Sequence, residues 1–363
     1  MIYRGADGGN AQVTGEPVGD RDPVVAPHHV GQIREFVSRL SGRSPRVVLA
    51  DGEDDRAVAA AGWLAEHTPV RPVLLAVGER SDPSVPTRDT TGVETWDIAA
   101  LAEDPAVLAA LRSRPDGSTR PEQEVATMAA DPVYLAAAQV SAKHAAACLA
   151  GATRATADVL RAALKVIGLS PGASTVSSSF LMVFPDGRKM AYGDCAVLPT
   201  PDKRQLAQIA LDTACTFREL SGEKPVVAML SFSTMGSAEH PEVDLVRAAT
   251  VIARELDPSL CIDGELQFDA ATVEAVGRSK APGSDVAGRA NVLIFPTLSA
   301  GNIGYKMTER LGGAAAFGPI LQGLAAPMND LSRGCSASDI VSVALLSAVQ
   351  SLSVSEACGQ EER

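Results

Sequence analysis

The chain has 363 residues, which is enough for two domains, because single hydrophobic cores seldom grow beyond about 250–300 residues. Hydrophobic residues make up 46% of it and charged residues 21%, a composition typical of globular rather than disordered proteins. The formal net charge of −12 argues against nucleic acid as the main partner, because binding to a phosphate backbone requires a basic face.

The cysteines and the N-terminal residues bear on localisation. Six cysteines are scattered without a CxxC pair, which favours reduced thiols in a cytoplasmic protein over a disulfide framework. No run of about 18 apolar residues occurs, so no membrane span is predicted. The N-terminal residues have mixed charge and lack the apolar segment of a secretion signal, and we predict a disordered leader over residues 1–30.

From Arg46 onward, strand-like and helix-like segments alternate. The segment RVVLADGEDDRAVAAAGWLAEH predicts a short buried strand, an acidic turn and a helix, and VRPVLLAVGE predicts the next strand. Residues 116–161 are predicted to be mostly alanine-rich helix, broken near Pro115 and Pro132. Further strands are predicted at residues 174–184 (followed by a hairpin at Gly187), 226–232 and 291–298, and further helices at 203–220, 241–256 and 338–352. This alternation predicts an α/β fold with a parallel sheet covered on both faces.

Several common functional motifs are absent from the sequence. It contains neither a GxxxxGK[ST] loop nor a GxGxxG run after a strand, so nucleotide binding by those routes is unsupported. The hydrolytic motifs HExxH and GxSxG are missing as well. None of the five histidines has the spacing of metal ligands, so no zinc site is predicted.

Three runs rich in Gly and Pro stand out in the last third of the chain. Residues 279–291, 291–313 and 317–339 place Lys, Arg, Asn or Ser beside these Gly and Pro residues. Glycine lets a backbone approach a ligand closely, and exposed N–H groups there can hold phosphate oxygens. Each run alone could be ordinary turn chemistry, but the three together predict a ligand site at the carboxyl ends of strands.

Six short segments in these regions follow one another in a distinctive order. They are FSTMGSA (232–238), DGELQFDAA (263–271), SKAPGS (279–284), FPTLSAGNIGYK (295–306), GPILQG (318–323) and NDLSRGCS (329–336). Together they closely resemble the phosphate acetyltransferase family, also called phosphotransacetylases. The resemblance is dense from residue 192 to 350, looser from 46 to 161, and does not cover the first thirty residues.

The resemblance implies transfer of an acetyl group between coenzyme A and inorganic phosphate, with acetyl phosphate as the other product. It implies a homodimer with no metal or prosthetic group, and coenzyme A as a substrate rather than a cofactor. It also implies two three-layer α/β/α domains around a cleft, related to the isocitrate and isopropylmalate dehydrogenases. The first domain would hold residues 31–170 and 324–363, and the second, inserted domain residues 171–323.

The resemblance also assigns catalytic roles to three residues. Asp339, seven residues after Ser332, corresponds to the base that takes the proton of the coenzyme A thiol, Ser332 to the donor toward the oxyanion, and Arg333 to a phosphate ligand. The chemistry requires such groups, because a thiol of pKa about 8.5 is mostly protonated at neutral pH and phosphate suits a planar guanidinium. Without the resemblance, Asp339 could be a helix-capping carboxylate, Ser332 a turn serine and Arg333 part of a surface ion pair.

Other positions are carried over with departures from the family. Arg161 matches a second family arginine, although Ala162 replaces the proline that usually follows, and Arg112 matches a third but lacks its basic neighbours. Met235 and Thr297 stand where the family often has Lys and Asp, which could alter coenzyme A affinity or acyl preference. The remaining predicted contacts are Asn302, Lys306 and Asn329 for phosphate or substrate, and Lys280, Ser284 and Cys335 for coenzyme A. We interpret Cys335 as a thiol that lines the site rather than as a nucleophile.

Two alternatives remain open on the sequence. One is a phosphate butyryltransferase or a similar enzyme with a longer acyl preference. The other is a non-catalytic domain that senses acetyl-CoA, like the transferase-like tail of some malic enzymes. Such tails tend to lose catalytic residues, whereas Ser332, Arg333, Asp339 and Arg161 are all present here.

Overall fold

The computed structural model describes residues 24–76 and 92–361, and of residues 353–361 only the backbone. Most of the predicted leader, residues 1–23, lies outside this range. The prediction of a disordered leader is wrong for residues 24–30. A 3₁₀ turn (Pro27–His29) leads into a helix there, and Val25 and His29 are buried. Within the described part of the chain, no helix is both long and apolar enough to span a membrane.

The described residues form eleven β-strands and thirteen α-helices. The strands are β1 (Arg46–Leu49), β2 (Arg71–Ala76), β3 (Glu94–Asp97), β4 (Ala147–Ala150), β5 (Ser177–Val183), β6 (Lys189–Gly193), β7 (Val227–Leu230), β8 (Ile262–Leu266), β9 (Val292–Ile294), β10 (Ala315–Gln322) and β11 (Met328–Asp330). The helices are α1 (Val30–Arg39), α2 (Asp55–His67), α3 (Ile98–Glu103), α4 (Pro105–Arg112), α5 (Glu122–Ala129), α6 (Pro132–Ser141), α7 (Thr156–Ala162), α8 (Lys203–Ser221), α9 (Pro241–Leu256), α10 (Phe268–Thr272), α11 (Glu274–Lys280), α12 (Leu298–Gly312) and α13 (Ala337–Glu361).

The strands build two sheets, and together with the helices they confirm the predicted α/β class. The first sheet has the order β11-β4-β1-β2-β3 and is parallel throughout. The second has the order β10-β5-β6-β9-β7-β8 and is mixed, because β5 runs antiparallel to both β10 and β6. The predicted hairpin forms between β5 and β6, where Gly187 takes a positive φ of 85°. The prediction of a parallel sheet therefore holds for the first sheet and for β6, β9, β7 and β8.

The helix predicted over residues 116–161 is the main error in the secondary-structure prediction. Helices α5, α6 and α7 lie in this range, but β4 interrupts it. All four residues of β4 are buried; the strand pairs with β1 and β11 in the parallel sheet, and helices α6 and α13 pack against it. Its hydrogen bonds to those neighbours outweigh the helix propensity of its two alanines.

Helix α13 connects the packing around the two sheets. Around the first sheet it contacts α1, α2 and β4, and around the second sheet it contacts α8 and β10. Its residues Ile340, Val341 and Leu345 are fully buried in a core that also includes Leu64 and Phe217. Burial on several sides holds the helix firmly, and its N-terminus follows closely on β11. The first turn of α13 is therefore placed at the carboxyl edge of the first sheet.

Candidate active site

The carboxyl ends of β1, β4 and β11 meet at one edge of the first sheet. The chain continues from β1 to β2 on one side, whereas β4 and β11 lie on the other, so the order of the strands reverses between β1 and β4. In parallel α/β sheets, ligands bind in the crevice outside such a reversal. The loops that follow these three strands contain residues 50–54, 151–155 and 331–336.

A buried carboxylate at the end of β1 fixes the loop after β4. Asp51 Oδ2 accepts hydrogen bonds from the N–H groups of Gly151 and Ala152 over 2.9 and 3.1 Å, and Oδ1 accepts from Thr153 N–H over 3.1 Å. Gly151 has a φ of 116°, and a Cβ there would lie 2.5 Å from Asp330 Oδ1. Only glycine fits between these two carboxyl groups.

Asp330, the last residue of β11, joins that strand to α7. Thr156 Oγ1 donates to Asp330 Oδ2 over 2.7 Å, while Oδ1 is buried without a hydrogen-bond partner among the described residues. Burial raises the pKa of Asp330 to about 6. The contact ties the segment just before Ser332 to the helix that carries Arg161.

Arg56, which the sequence analysis did not single out, holds the loop that contains the predicted catalytic residues. Its Nη1 donates to the carbonyl oxygens of Arg333 and Cys335, each over 2.9 Å, and its Nη2 donates to the carbonyl of Ala152 over 2.9 Å. Asp54 fixes the guanidinium from the other side, with Oδ1 2.9 Å from Nε and Oδ2 2.8 Å from Nη2. One side chain thus connects the loops that follow β1, β4 and β11.

Replacing Arg56 by glutamine is expected to lower the free energy of unfolding by about 1–3 kcal/mol, because charged hydrogen bonds to several carbonyls are lost. Arg56→Lys should recover only part of the loss, because an ammonium group lacks the planar fork that reaches separate acceptors. Urea denaturation of both variants measures the effect. Wild-type stability in Arg56→Gln would show that these bonds contribute nothing.

The three predicted catalytic residues lie in or directly after the loop that follows β11. Ser332 and Arg333 are exposed, and no ion pair to Arg333 occurs within the described ranges. Ser332 Oγ accepts from Gly334 N–H over 3.2 Å, so its own proton is not used in that bond. Asp339 is half-buried, and its Oδ2 accepts from the N–H and Oγ of Ser336 over 2.8 and 2.9 Å.

Asp339 therefore caps the N-terminus of α13. Ser336 Oγ in turn lies 3.2 Å from Asp339 N–H, which completes a reciprocal capping arrangement. Only Oδ2 takes part in it; for Oδ1 we find no hydrogen-bond partner in the described part of the chain. One carboxylate oxygen is fixed, and the other remains available to a ligand.

Cys335 lies beside these residues but is not suited to act as a nucleophile. It is buried, and burial raises the pKa of its thiol to about 11. The nearest cation, Arg56 Nη1, lies 3.9 Å from Sγ and does not reverse this effect. The thiol stays protonated near neutral pH, which agrees with our interpretation of Cys335 as a lining residue.

The two further predicted arginines form local ion pairs. Arg161 Nη1 lies 2.6 Å from Asp158 Oδ1 on α7, with 54% of its side chain exposed. Arg112, at the end of α4, donates two hydrogen bonds to Glu122 over 2.7 and 3.1 Å. Exposed pairs of this kind are weak, so a phosphate ligand can compete with the carboxylates.

Four other predicted contacts lie on elements of the second sheet. Asn302 Nδ2 donates to the carbonyl of Cys195 over 3.0 Å, and Lys306 Nζ lies 5.8 Å from the centre of the Tyr305 ring. Lys280 Nζ contacts Gln267 Oε1 over 2.9 Å and Asp269 Oδ2 over 3.0 Å.

The fourth, Ser284, accepts hydrogen bonds from the N–H groups of Val286 and Ala287 over 3.2 and 3.1 Å. It has the bonding of a turn residue. None of the four forms a hydrogen bond or an ion pair with residues 331–336 within the described residues, so no polar contact joins them to the cluster around Ser332.

Asn329 has a different environment from the one we predicted. It is fully buried, its Oδ1 accepts from Leu321 N–H over 2.7 Å, and its Nδ2 donates to Ser347 Oγ and Gln350 Oε1 over 2.7 and 2.8 Å. Its amide connects β10, β11 and α13 and has no group left for a substrate. We therefore leave Asn329 out of the proposed site.

Asn329→Ala is expected to lower the free energy of unfolding by about 1–3 kcal/mol, because it leaves the buried Leu321 N–H without an acceptor. KM for every substrate should stay unchanged at temperatures where the variant is folded. Urea denaturation and steady-state kinetics together measure both effects. Asn302→Ala, which removes one hydrogen bond to a loop carbonyl, is the control and should lose less stability. A selective rise in one KM for Asn329→Ala would restore it as a substrate contact.

Comparison with known proteins places the chain among acyltransferases. Residues 32–348 match the family described as "Phosphate acetyl/butaryl transferase". The chain is 42% identical over 324 residues to the phosphate acetyltransferase of Thermoanaerobacterium thermosaccharolyticum, a match that covers 88% of this chain and 98% of the relative. It is 44% identical over 309 residues to the phosphate acetyltransferase of Paracoccus denitrificans, a match that covers 84% of this chain and 94% of the relative. Its structure matches that of a phosphotransacetylase from Streptococcus pyogenes with a TM-score of 0.80 at 38% identity, covering 89% of this chain and 98% of that one.

Proposed function

The chain belongs to the phosphate acetyl/butaryl transferase family, and from this we propose that it converts acetyl-CoA and inorganic phosphate to coenzyme A and acetyl phosphate, in either direction. The observation that carries the proposal is the identity above 40% to two phosphate acetyltransferases over nearly their whole lengths. It is an enzyme of the acyltransferase class. Coenzyme A is a substrate, and the proposed steps involve no cofactor.

The proposed mechanism is direct transfer in a ternary complex. The carboxylate of Asp339 takes the proton of the coenzyme A thiol, and the thiolate attacks the carbonyl carbon of acetyl phosphate. The carbonyl oxygen becomes negatively charged and accepts a hydrogen bond from Ser332 Oγ, whose proton has no acceptor in the described residues. The tetrahedral intermediate then collapses, the C–O bond to phosphate breaks, and phosphate leaves with Arg333 and Arg161 as its cationic partners.

The geometry of α13 supports Asp339 in this role. Its Oδ2 is held by Ser336, so the orientation of the carboxylate is fixed before substrate binds. Arg56 fixes the backbone of Arg333 and Cys335, which gives the rest of the loop a defined conformation.

We further propose two domains around a cleft, in the arrangement implied by the resemblance to the dehydrogenase-like fold. Residues 31–170 and 324–363 would form the first, and residues 171–323 the second. The return of β11 to the first sheet, after β10 in the second, supports an inserted second domain. We also propose a cytoplasmic homodimer; all five cysteines with described side chains are free thiols, in keeping with a reducing compartment.

The function is tested by incubating the purified chain with acetyl-CoA in the presence of phosphate, of arsenate, or of neither. Thioester absorbance should fall only when one of the two anions is present, with matching release of free thiol. Arsenate should give continuous loss, because acetyl arsenate hydrolyses. Binding of acetyl-CoA without any turnover would instead favour the non-catalytic sensing domain.

The acyl preference is tested with acetyl-, propionyl- and butyryl-CoA in phosphate buffer. The names of the two relatives described above support the acetyl group, and kcat/KM should fall as the acyl chain lengthens. Met235 and Thr297, the two departures from the family, make this comparison necessary. A kcat/KM that is highest for butyryl-CoA would favour the butyryltransferase alternative.

A further inference from the structure

A short N-terminal segment packs on the first turns of α13, close to Asp339. Ala26 N–H donates to Ser338 Oγ over 2.9 Å, and His29 Nδ1 lies 3.1 Å from both Ser338 Oγ and Ser342 Oγ. We name residues 24–29 the N-terminal strap. The strap ends before residue 32, where the match to the family begins, so the strap itself lies outside the matched region.

Burial shows that the strap is a packed element. Only 4% of His29 and 2% of Val25 are exposed, and the imidazole ring lies 4.7 Å from the ring of Phe317 on β10. The neighbouring His28, by contrast, is exposed. The strap thus covers one side of the α13 N-terminus with buried side chains and excludes water from it.

The hydroxyl groups determine how His29 is bound. Ser342 Oγ donates its single proton to the carbonyl of Ser338 over 2.8 Å, so it can only accept from His29. We therefore assign the Nδ1–H tautomer. Burial, together with His28, lowers the pKa of His29 to about 4, while Asp339 acts in the opposite direction, so the ring is neutral near neutral pH. The strap thus fixes α13 without placing a cation beside Asp339.

The first turn of a helix is the part that most needs such support. Its N–H groups have no partners within the helix, and helix ends fray. Ser336 holds Asp339 from the N-terminal side, and the strap holds the intervening Ser338. Both restraints act on the turn that sets the position of the carboxylate.

We propose that the N-terminal strap is a positioning element for catalysis, which holds Asp339 through the N–H of Ala26 and the ring of His29. The inference rests on the proposed role of Asp339 as the base. Displacement of a catalytic group by about 1 Å can cost about a hundredfold in rate, so loss of one holding point should be measurable in kcat.

The test is steady-state kinetics of four variants of the full chain. His29→Ala should lower kcat about tenfold or more while KM for coenzyme A and acetyl phosphate stays within about twofold. His29→Asn should recover part of the loss, because its amide N–H can replace Nδ1–H. Ala26→Pro removes only the backbone donor, because Ala26 already has a φ of −62°, and should also lower kcat. His28→Ala is the matched control; it removes an exposed ring 4.5 Å from that of His29 but none of the hydrogen bonds to α13, and it should lower kcat far less than His29→Ala.

Urea denaturation and the Asp339→Asn variant separate the possible failures. Wild-type kcat in both His29→Ala and Ala26→Pro, beside an inactive Asp339→Asn, would overturn the strap and leave the proposed mechanism intact. The strap would also be overturned if kcat returned to the wild-type value on cooling, at the temperatures where the variant regains its fold. The strap would then act on stability alone. Full activity in Asp339→Asn would instead overturn the assignment of the base, and the strap inference with it.

Discussion

Asp339→Asn is expected to lower kcat by about a thousandfold, within the range that general base catalysis supplies. The amide cannot accept the thiol proton, so attack must proceed from the small fraction of coenzyme A that is already ionised. The substitution keeps the size of the side chain and an oxygen for Ser336, so coenzyme A affinity should stay within about twofold. Steady-state kinetics in both directions and calorimetric titration of coenzyme A measure the two effects.

Ser336→Ala is the matched control for the capping role of Asp339. It removes the hydroxyl that bonds to Asp339 Oδ2 but leaves the carboxylate in place. Loss of a cap costs about 1 kcal/mol of stability, and kcat should fall far less than in Asp339→Asn. If the two variants lost activity equally, the cap rather than the base would explain the effect, and full activity in Asp339→Asn would remove it as the base.

Arg333→Gln is expected to lower kcat/KM for acetyl phosphate by about a hundredfold, chiefly through a higher KM. Two charge-assisted hydrogen bonds to phosphoryl oxygens contribute about 1.5–3 kcal/mol each, and glutamine offers only one weaker, neutral donor group. KM for coenzyme A should hardly change, because the proposed contact is to the phosphate. Initial rates at varied concentrations of each substrate separate these constants.

Arg278→Gln provides the control for Arg333→Gln, because it removes another exposed positive charge, 55 residues earlier in the chain. Arg278 pairs with Glu274 within α11, and its loss should leave both KM values unchanged. A rise in KM for coenzyme A alone in Arg333→Gln would mean that the roles assigned to the arginines must be exchanged.

The parts of the fold that could be predicted have a strong local pattern. Helix α9 begins and ends where its periodicity predicts, at Pro241 and Leu256, because proline at the first position and an apolar stripe define it. Strand β4 has the sequence Ala-Cys-Leu-Ala, which favours no strand by itself and forms one only between β1 and β11. Strand β11 includes an asparagine and an aspartate, so its formation as a strand also depends on pairing with β4.

The site shows the same limit. Ser332 and Arg333 could be predicted because they lie in one contiguous motif that resembles a family, and Asp339 because it follows Ser332 by seven residues. Arg56 could not, because the carbonyls that it binds belong to Ala152, Arg333 and Cys335, and nothing near Arg56 in the sequence indicates them. The only signal was an arginine at the start of a helix within an acidic segment, where a cation opposes the helix dipole.

Asn329 shows the reverse error. It lies in the most distinctive motif of the chain, and its position there suggested a substrate contact. The fold itself uses its amide, because three partners from β10 and α13 form hydrogen bonds with it. A motif of this kind contains residues that build the fold as well as residues proposed to act on the substrate.

The pairing of β11 with β4 also governs how the polypeptide can mature during synthesis. The ribosome completes β4 long before it adds Met328–Asp330, so until then the β4 edge of the nascent sheet has no neighbour there. An uncovered edge of this kind is prone to pair with other chains. Chains that terminate before β11 should therefore aggregate rather than form a smaller working protein. Division of the polypeptide into two separate halves should likewise lower its solubility.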